Sequence, residues 1–153
     1  MTERTQLNFT RDRNILDAML SLGAAVRQSS LEASLVLLVD VRASQINGCG
    51  FCIDMHTKDA RAAGETEQRL FLLSAWRDAN ATIYTERERA ALAWTEAVTR
   101  LDNQHVRDDV YESARKQFSE QELLALTLAI VAINGWNRFN VALQTPAGDY
   151  KSR

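Results

Sequence analysis

Only one proline, Pro146, stands in the 153 residues, and only six glycines accompany it. Proline and glycine are the strongest local breakers of helix, so their scarcity leaves almost nothing to interrupt helical structure between residues 10 and 144. Val, Ile and Thr never alternate with polar residues over a stretch long enough to build a sheet. An all-α chain is the expectation.

The punctuation comes from caps. Ile15, Leu16, Met19, Leu22 and Val26 recur at helical spacing behind Thr10, a candidate cap. Ser29 with Glu32, Thr85 with Glu88 and Ser119 with Glu122 each have capping-box spacing, in which the hydroxyl takes the third amide of the helix and the carboxylate returns to the amide of the cap. These signals predict a first helix through Val26, a second over 31–45 and a third from Asn47-Gly48 to Gly64 with both cysteines on its first turn. A fourth is expected over 67–78, a fifth opening at Thr85, a short one over 107–117, and a last over 120–144 that Thr145-Pro146 stops. The sum is a single-domain helical bundle of about seven helices over 1–146, followed by a loose polar tail, 147–153.

Charge narrows the partners. Eighteen Lys and Arg stand against twenty Asp and Glu, a net charge of -2 with no basic block, so the electrostatic footprint of a nucleic-acid binder is missing. The first thirteen residues mix charges of both signs without an apolar core, which points to a cytoplasmic location. Leu123 to Ile133, the longest apolar stretch, is shorter than the roughly 18 residues of a membrane span and reads as a buried helix. No nucleic acid and no membrane are expected as partners.

Chemistry concentrates in Arg42-Ala-Ser-Gln-Ile-Asn-Gly-Cys49-Gly-Phe-Cys52-Ile-Asp-Met-His56. On a helix, residues three and four apart lie about 5 to 6 Å from one another at Cβ, so Cys49 and Cys52 are near disulfide separation and His56 is within reach of the second sulfur. A helix start favours thiolate, and His56 then serves as base or as imidazolium partner. A chance Cys-x-x-Cys and a zinc site completed by His105 are the competing readings. Zinc is the weaker, because His105 lies in a separate segment and a domain with this much apolar helix scarcely needs a structural metal. A thioredoxin fold fails on the absence of strands and of a proline that could face the dithiol. No metal and no cofactor beyond the redox-active disulfide are expected.

These residues, with Cys52-Ile-Asp-Met-His-Thr-Lys-Asp-Ala-Arg61, Thr85-Glu-Arg-Glu-Arg-Ala-Ala-Leu-Ala-Trp94 and Leu128-Ala-Ile-Val-Ala-Ile-Asn-Gly-Trp-Asn-Arg-Phe-Asn140, resemble the carboxymuconolactone decarboxylase superfamily in its alkyl hydroperoxidase D-like (AhpD) branch. The resemblance implies an all-helical fold, a homo-oligomer that is often a trimer or hexamer, and a dithiol peroxidase acting on an organic hydroperoxide and reset by an external dithiol reductant. Position by position, it makes Cys52 the peroxide-attacking thiol, Cys49 the resolving thiol and His56 the proton relay. The branch's glutamate, twelve residues before the first cysteine, falls on Leu37, and its second histidine is absent because Gly50 and Phe51 fill the gap between the cysteines. Asp40, displaced about 4.5 Å along the helix axis from Leu37, is the substitute acid; the plainer reading makes it a solvated aspartate on an exposed face. Loss of the glutamate sustains an alternative, an oligomeric redox-sensing or binding protein with little peroxidase turnover.

Elsewhere structure is the expected role. Glu32 is the partner of Ser29, Asp54 a first-turn complement to the helix dipole, and Trp94, Trp136 and Phe139 belong to core or subunit contacts. Asn134, Asn137 and Arg138 lie on an otherwise apolar helix and must be paired or exposed, as in a polar pocket or subunit seam. The apolar helices at 67–78 and 120–144 offer more face than one small domain covers, which favours an assembly of at least three chains.

Overall fold

The computed structural model describes residues 2–152, the side chain of Asn103 apart. Among these residues seven α-helices form: α1 Arg13–Arg27, α2 Ala33–Asn47, α3 Gly50–Ala62, α4 Glu67–Leu72, α5 Glu86–Arg100, α6 Asp108–Gln117 and α7 Glu120–Leu143. No strand occurs among the described residues. None of the described helices is long and apolar enough to cross a membrane.

Helix α2 sits at the centre because it is apolar on more than one side. Leu35 and Val39 enter one cluster with Ala90, Trp94, Phe118, Leu126 and Ile130 of α5 to α7. Leu38 and Val41 enter a second with Ala60, Leu70, Leu73, Trp76, Tyr84 and Leu92. Leu38, Leu92, Leu126 and Ile130 are fully enclosed, each contributing about 1.5 to 3 kcal/mol of transfer free energy. Helix α7 lies along α2, and α1 covers α7. Trp94 is a core residue whose indole donates to Thr127 (3.0 Å).

A buried charge cluster fixes α2 against α5. The Glu96 carboxylate accepts from Arg42 (2.8 Å), from the Trp76 indole (2.9 Å) and from Arg77. Burial pushes Glu96 up, but hydrogen bonds from Arg77, Trp76 and Arg42 outweigh it and hold the carboxyl below its ordinary range. Arg42 lies seven residues before Cys49, so this cluster anchors the helix that delivers the dithiol.

Several local expectations are corrected. The cap of α1 is Asp12, not Thr10; Asn8 organises the preceding turn by accepting from the amides of Thr10 and Arg11. The Ser29–Glu32 box does not form. Ser29 donates to the Val26 carbonyl (2.6 Å), and Glu32 itself caps α2 while its carboxylate binds Arg87 (2.9 Å). Arg87 also holds Glu122 (2.7 Å) and the Gln117 carbonyl, so a tertiary ion pair joining three helices outcompetes the local bond. The boxes at Thr85 and Ser119 form as expected. The fourth helix stops at Leu72 and tightens into a 3₁₀ turn, Leu73–Ala75, beside the Trp76 that reaches Glu96.

The tail is not loose. Gly148 donates to Asp54 (3.2 Å), the Tyr150 hydroxyl to Asp59 (2.9 Å), and Lys58 to the carbonyls of Gly148 (3.3 Å) and Tyr150 (2.8 Å). These bonds strap the tail along α3. Asp54 is the fifth residue of that helix and pairs with Lys58 (2.8 Å), so its work is to hold the tail rather than to complement a first turn.

Candidate redox site

Helix α2 must end where α3 begins, and Gly48 makes this possible. It adopts φ +67°, the Gly48 amide donates to the Gln45 carbonyl (3.3 Å), and the Cys49 amide donates to the Ser44 carbonyl (3.0 Å). This is the Schellman closure that a left-handed residue permits. Cys49 is then extended and caps α3, its sulfur accepting the amide of Cys52 (3.3 Å) in the role a cap oxygen usually takes. Only Cys52 therefore lies in the first turn; the third helix starts at Gly50 rather than at Asn47-Gly48. The two cysteines form a disulfide with Cα atoms 5.3 Å apart, and each is 1% exposed.

Asparagines of α7, three residues apart, grip this corner from the other side. Asn47 donates to Asn134 (3.0 Å) and Asn137 (2.9 Å), and Asn137 donates to the Ser44 hydroxyl (3.0 Å). Asn134 donates to Thr99 (3.0 Å), and Arg138 folds back onto Asn134 (2.9 Å). Asn134 and Asn137 thus find their partners across α2 and α5 and Arg138 finds its own on α7, and no buried side-chain nitrogen or oxygen among the described residues lacks one. Asn140 continues the ladder by donating to Cys52 Sγ (3.5 Å). Sequence reasoning passed over Asn140; the signal available was the same three-residue spacing.

His56 follows Cys52 by one turn of α3, and its Nδ1 lies 3.5 Å from a carboxylate oxygen of Asp40. Asp40 is not the solvated aspartate of the plainer reading: its side chain is 16% exposed and that of His56 15%. Burial pushes the Asp40 carboxyl up to about 8. Burial also pushes His56 down to about 4, against a weaker opposing pull from Asp59. Both shifts favour the uncharged pair, with the carboxyl holding a proton and the imidazole neutral. It can give a proton to a neighbouring anion or, once Asp40 ionises, accept one.

Leu37 faces elsewhere. With Ala60 and Ala63 it lines a cavity of about 140 Å³, packed against the second core cluster. A second cavity, of about 170 Å³, lies over Asp40 and His56, walled by Val26, Val36, Ala129, Ala132, Ile133 and Trp136, with Arg27 as its cation. Trp136 is thus a cavity wall, and Phe139 lines a groove beneath the N-terminal segment. His105 lies between α5 and α6. Among the described residues no three or more His, Cys, Asp or Glu side chains converge as a metal site requires.

The sequence model of the carboxymuconolactone decarboxylase family matches residues 14–97. The uncharacterised protein YdfG of Bacillus subtilis (strain 168) is 41% identical over 125 residues, 82% of this chain and 84% of its own length. A protein of unknown function from Agrobacterium tumefaciens, named as a candidate antioxidant-defence protein AhpD, superposes with a TM-score of 0.88 at 39% identity over 96% of this chain and all of its own. A peroxidase-related protein of Silicibacter sp. shares the fold alone, with a TM-score of 0.78 at 20% identity over 90% of this chain and 72% of its own. With a family match across more than half its length and the same helical architecture as these proteins, the chain belongs to the carboxymuconolactone decarboxylase family and has its AhpD-like fold.

Proposed function

We propose that the protein is a thiol-dependent peroxidase of the alkyl hydroperoxide reductase type that cycles Cys49 and Cys52 between dithiol and disulfide. The observation that carries this reading is the Cys-x-x-Cys pair at the start of α3, one turn before a histidine that faces a buried carboxyl. In the reduced protein the Cys52 thiolate attacks the peroxide. A sulfur–oxygen bond forms, the oxygen–oxygen bond breaks, and the alkoxide takes a proton to leave as the alcohol, with Cys52 as sulfenic acid. Cys49 then attacks that sulfur, and the hydroxyl leaves as water. The peroxide gains two electrons and the dithiol loses them; an external dithiol returns two electrons and two protons by exchange.

Asp40 and His56 supply the protons of this cycle. The protonated, neutral pair suits donation to a departing alkoxide, and its ionised form suits acceptance from the thiol. The cavity over the pair, about 170 Å³ and largely apolar with Trp136 as its broadest wall, suits a small organic hydroperoxide. The antioxidant role proposed for the Agrobacterium protein agrees with this reading.

Burial of both sulfurs to 1% exposure, with Leu37 where the branch has glutamate, favours a second reading, a redox sensor with little turnover. Peroxide consumption by wild type and Cys52→Ser, with lipoyl, thioredoxin-like and small-thiol donors, separates the two. Turnover in wild type that disappears in the variant is the result expected of the peroxidase. A disulfide that opens and closes without sustained consumption under any of these donors is the result expected of the sensor.

A further inference from the structure

We infer that Asn140 is a catalytic hydrogen-bond donor of the redox site, its side-chain amide holding Cys52 as thiolate once the disulfide has opened. The inference rests on the reading of Cys52 as the attacking sulfur. Asn140 Nδ2 lies 3.5 Å from Cys52 Sγ and 3.0 Å from the carbonyl oxygen of Trp136, one turn earlier on α7. A carbonyl can only accept, so a flipped amide would set two oxygens against each other; Trp136 therefore fixes the amide with its N–H groups toward the sulfur. Thr145 in turn donates to the Asn140 carbonyl (2.9 Å), which pins this last part of α7.

The two sulfurs draw on different donors. Cys49 takes the Cys52 backbone amide, which no side-chain substitution removes, whereas Cys52 takes Asn140. A disulfide sulfur is a weak acceptor and a thiolate a strong one, so the Asn140 bond strengthens as the site is reduced. At 1% exposure little water is available to solvate the anion instead. The titratable groups of the site are Cys49, His56 on α3 and Asp40 on α2; Arg138 of α7 is turned onto Asn134, so the amide of Asn140 is what α7 offers this sulfur.

The test follows alkylation of the reduced full chain by iodoacetamide from about pH 5 to about pH 10, with each cysteine resolved by peptide mass spectrometry. Loss of a hydrogen bond to a charged group is expected to raise the Cys52 midpoint by about one unit in Asn140→Ala while leaving that of Cys49 in place. Asn140→Asp, isosteric and able to replace Ala should that variant not fold, should shift Cys52 at least as far, because a carboxylate opposes the thiolate. An unmoved Cys52 midpoint in the variants that fold, or equal shifts at both cysteines, would overturn the assignment. Peroxide consumption measured alongside keeps the two claims apart. A Cys52-specific shift without consumption leaves Asn140 as donor and removes the peroxidase, and consumption without a shift does the reverse.

Discussion

At the scale of single residues, the decisive pair is Asp40 and His56, because burial pushes the two groups in opposite directions. Asp40 has a raised folded value, so its contribution to stability is complete below its unfolded value of about 3.9 and is lost as pH rises toward about 8. His56 has a lowered value, so its contribution is present above about 6.5 and is lost as pH falls toward about 4. Asp40→Asn should accordingly gain in urea midpoint relative to wild type between about pH 5 and about pH 8.5; a constant difference across that interval would mean that Asp40 titrates as an ordinary carboxylate. His56→Ala should slow alkylation of Cys52 at neutral pH and approach wild type near about pH 8.5, where an unaided thiol ionises. Indifference to His56 over the whole range would leave the histidine as packing only. The cysteines and His56 were legible because their relation is local, three and four residues along one helix. Asp40 was legible as a candidate acid but its burial was not: α2 is apolar on both sides of residue 40, so no polar stripe marks which face meets water. Asn140 was hidden because its sulfur partner lies 88 residues away in sequence.

At the scale of elements, the corner between α2 and α3 depends on backbone chirality. A Cβ at Gly48 would meet no atom within 4 Å, so the cost of Gly48→Ala comes from the left-handed conformation alone, about 1 to 2 kcal/mol. Chemical denaturation should show that loss, and the redox corner should loosen with it. Helix starts divide in the same physical way. Ser119 makes both bonds of its box, so Ser119→Ala should cost about 1 kcal/mol, whereas Ser29→Ala should cost about half of that or less because Ser29 caps no helix start, its hydroxyl serving only the Val26 carbonyl and the Leu31 amide. Equal losses would reinstate the Ser29 box. In the two boxes that formed, one carboxylate oxygen stays on the cap amide while the other takes an arginine, Arg69 at Glu88 and Arg87 at Glu122. At Ser29 the rival is Arg87, a residue 55 positions beyond Glu32 whose approach no local pattern announces.

At the scale of the whole molecule, the scarcity of proline and glycine was enough to announce a helical bundle, and the apolar run of α7 to announce one of its buried helices. The order in which helices pack was less legible, since α2 serves two clusters and its sequence does not say which side chain enters which. Phe71, Leu124 and Val131 remain exposed, Phe71 to 76% and Leu124 to 71%. Exposed apolar side chains of this kind, together with the assembly that the resemblance to the family implies, support the proposal of a symmetric oligomer of at least three chains. Sedimentation at micromolar concentration should give that mass, and a single-chain mass would contradict it.

Reduction of a peroxide by Cys49 and Cys52 together is the reaction on which the proposed function stands. It is tested most directly by mixing the fully reduced protein, without other thiols, with one equivalent of an organic hydroperoxide, then counting thiols lost and alcohol formed. Two thiols lost and one alcohol gained per chain are expected, with the Cys49–Cys52 disulfide recovered and no alcohol from Cys52→Ser. Peroxide left intact beside two free thiols, or alcohol formed equally by Cys52→Ser, would contradict it.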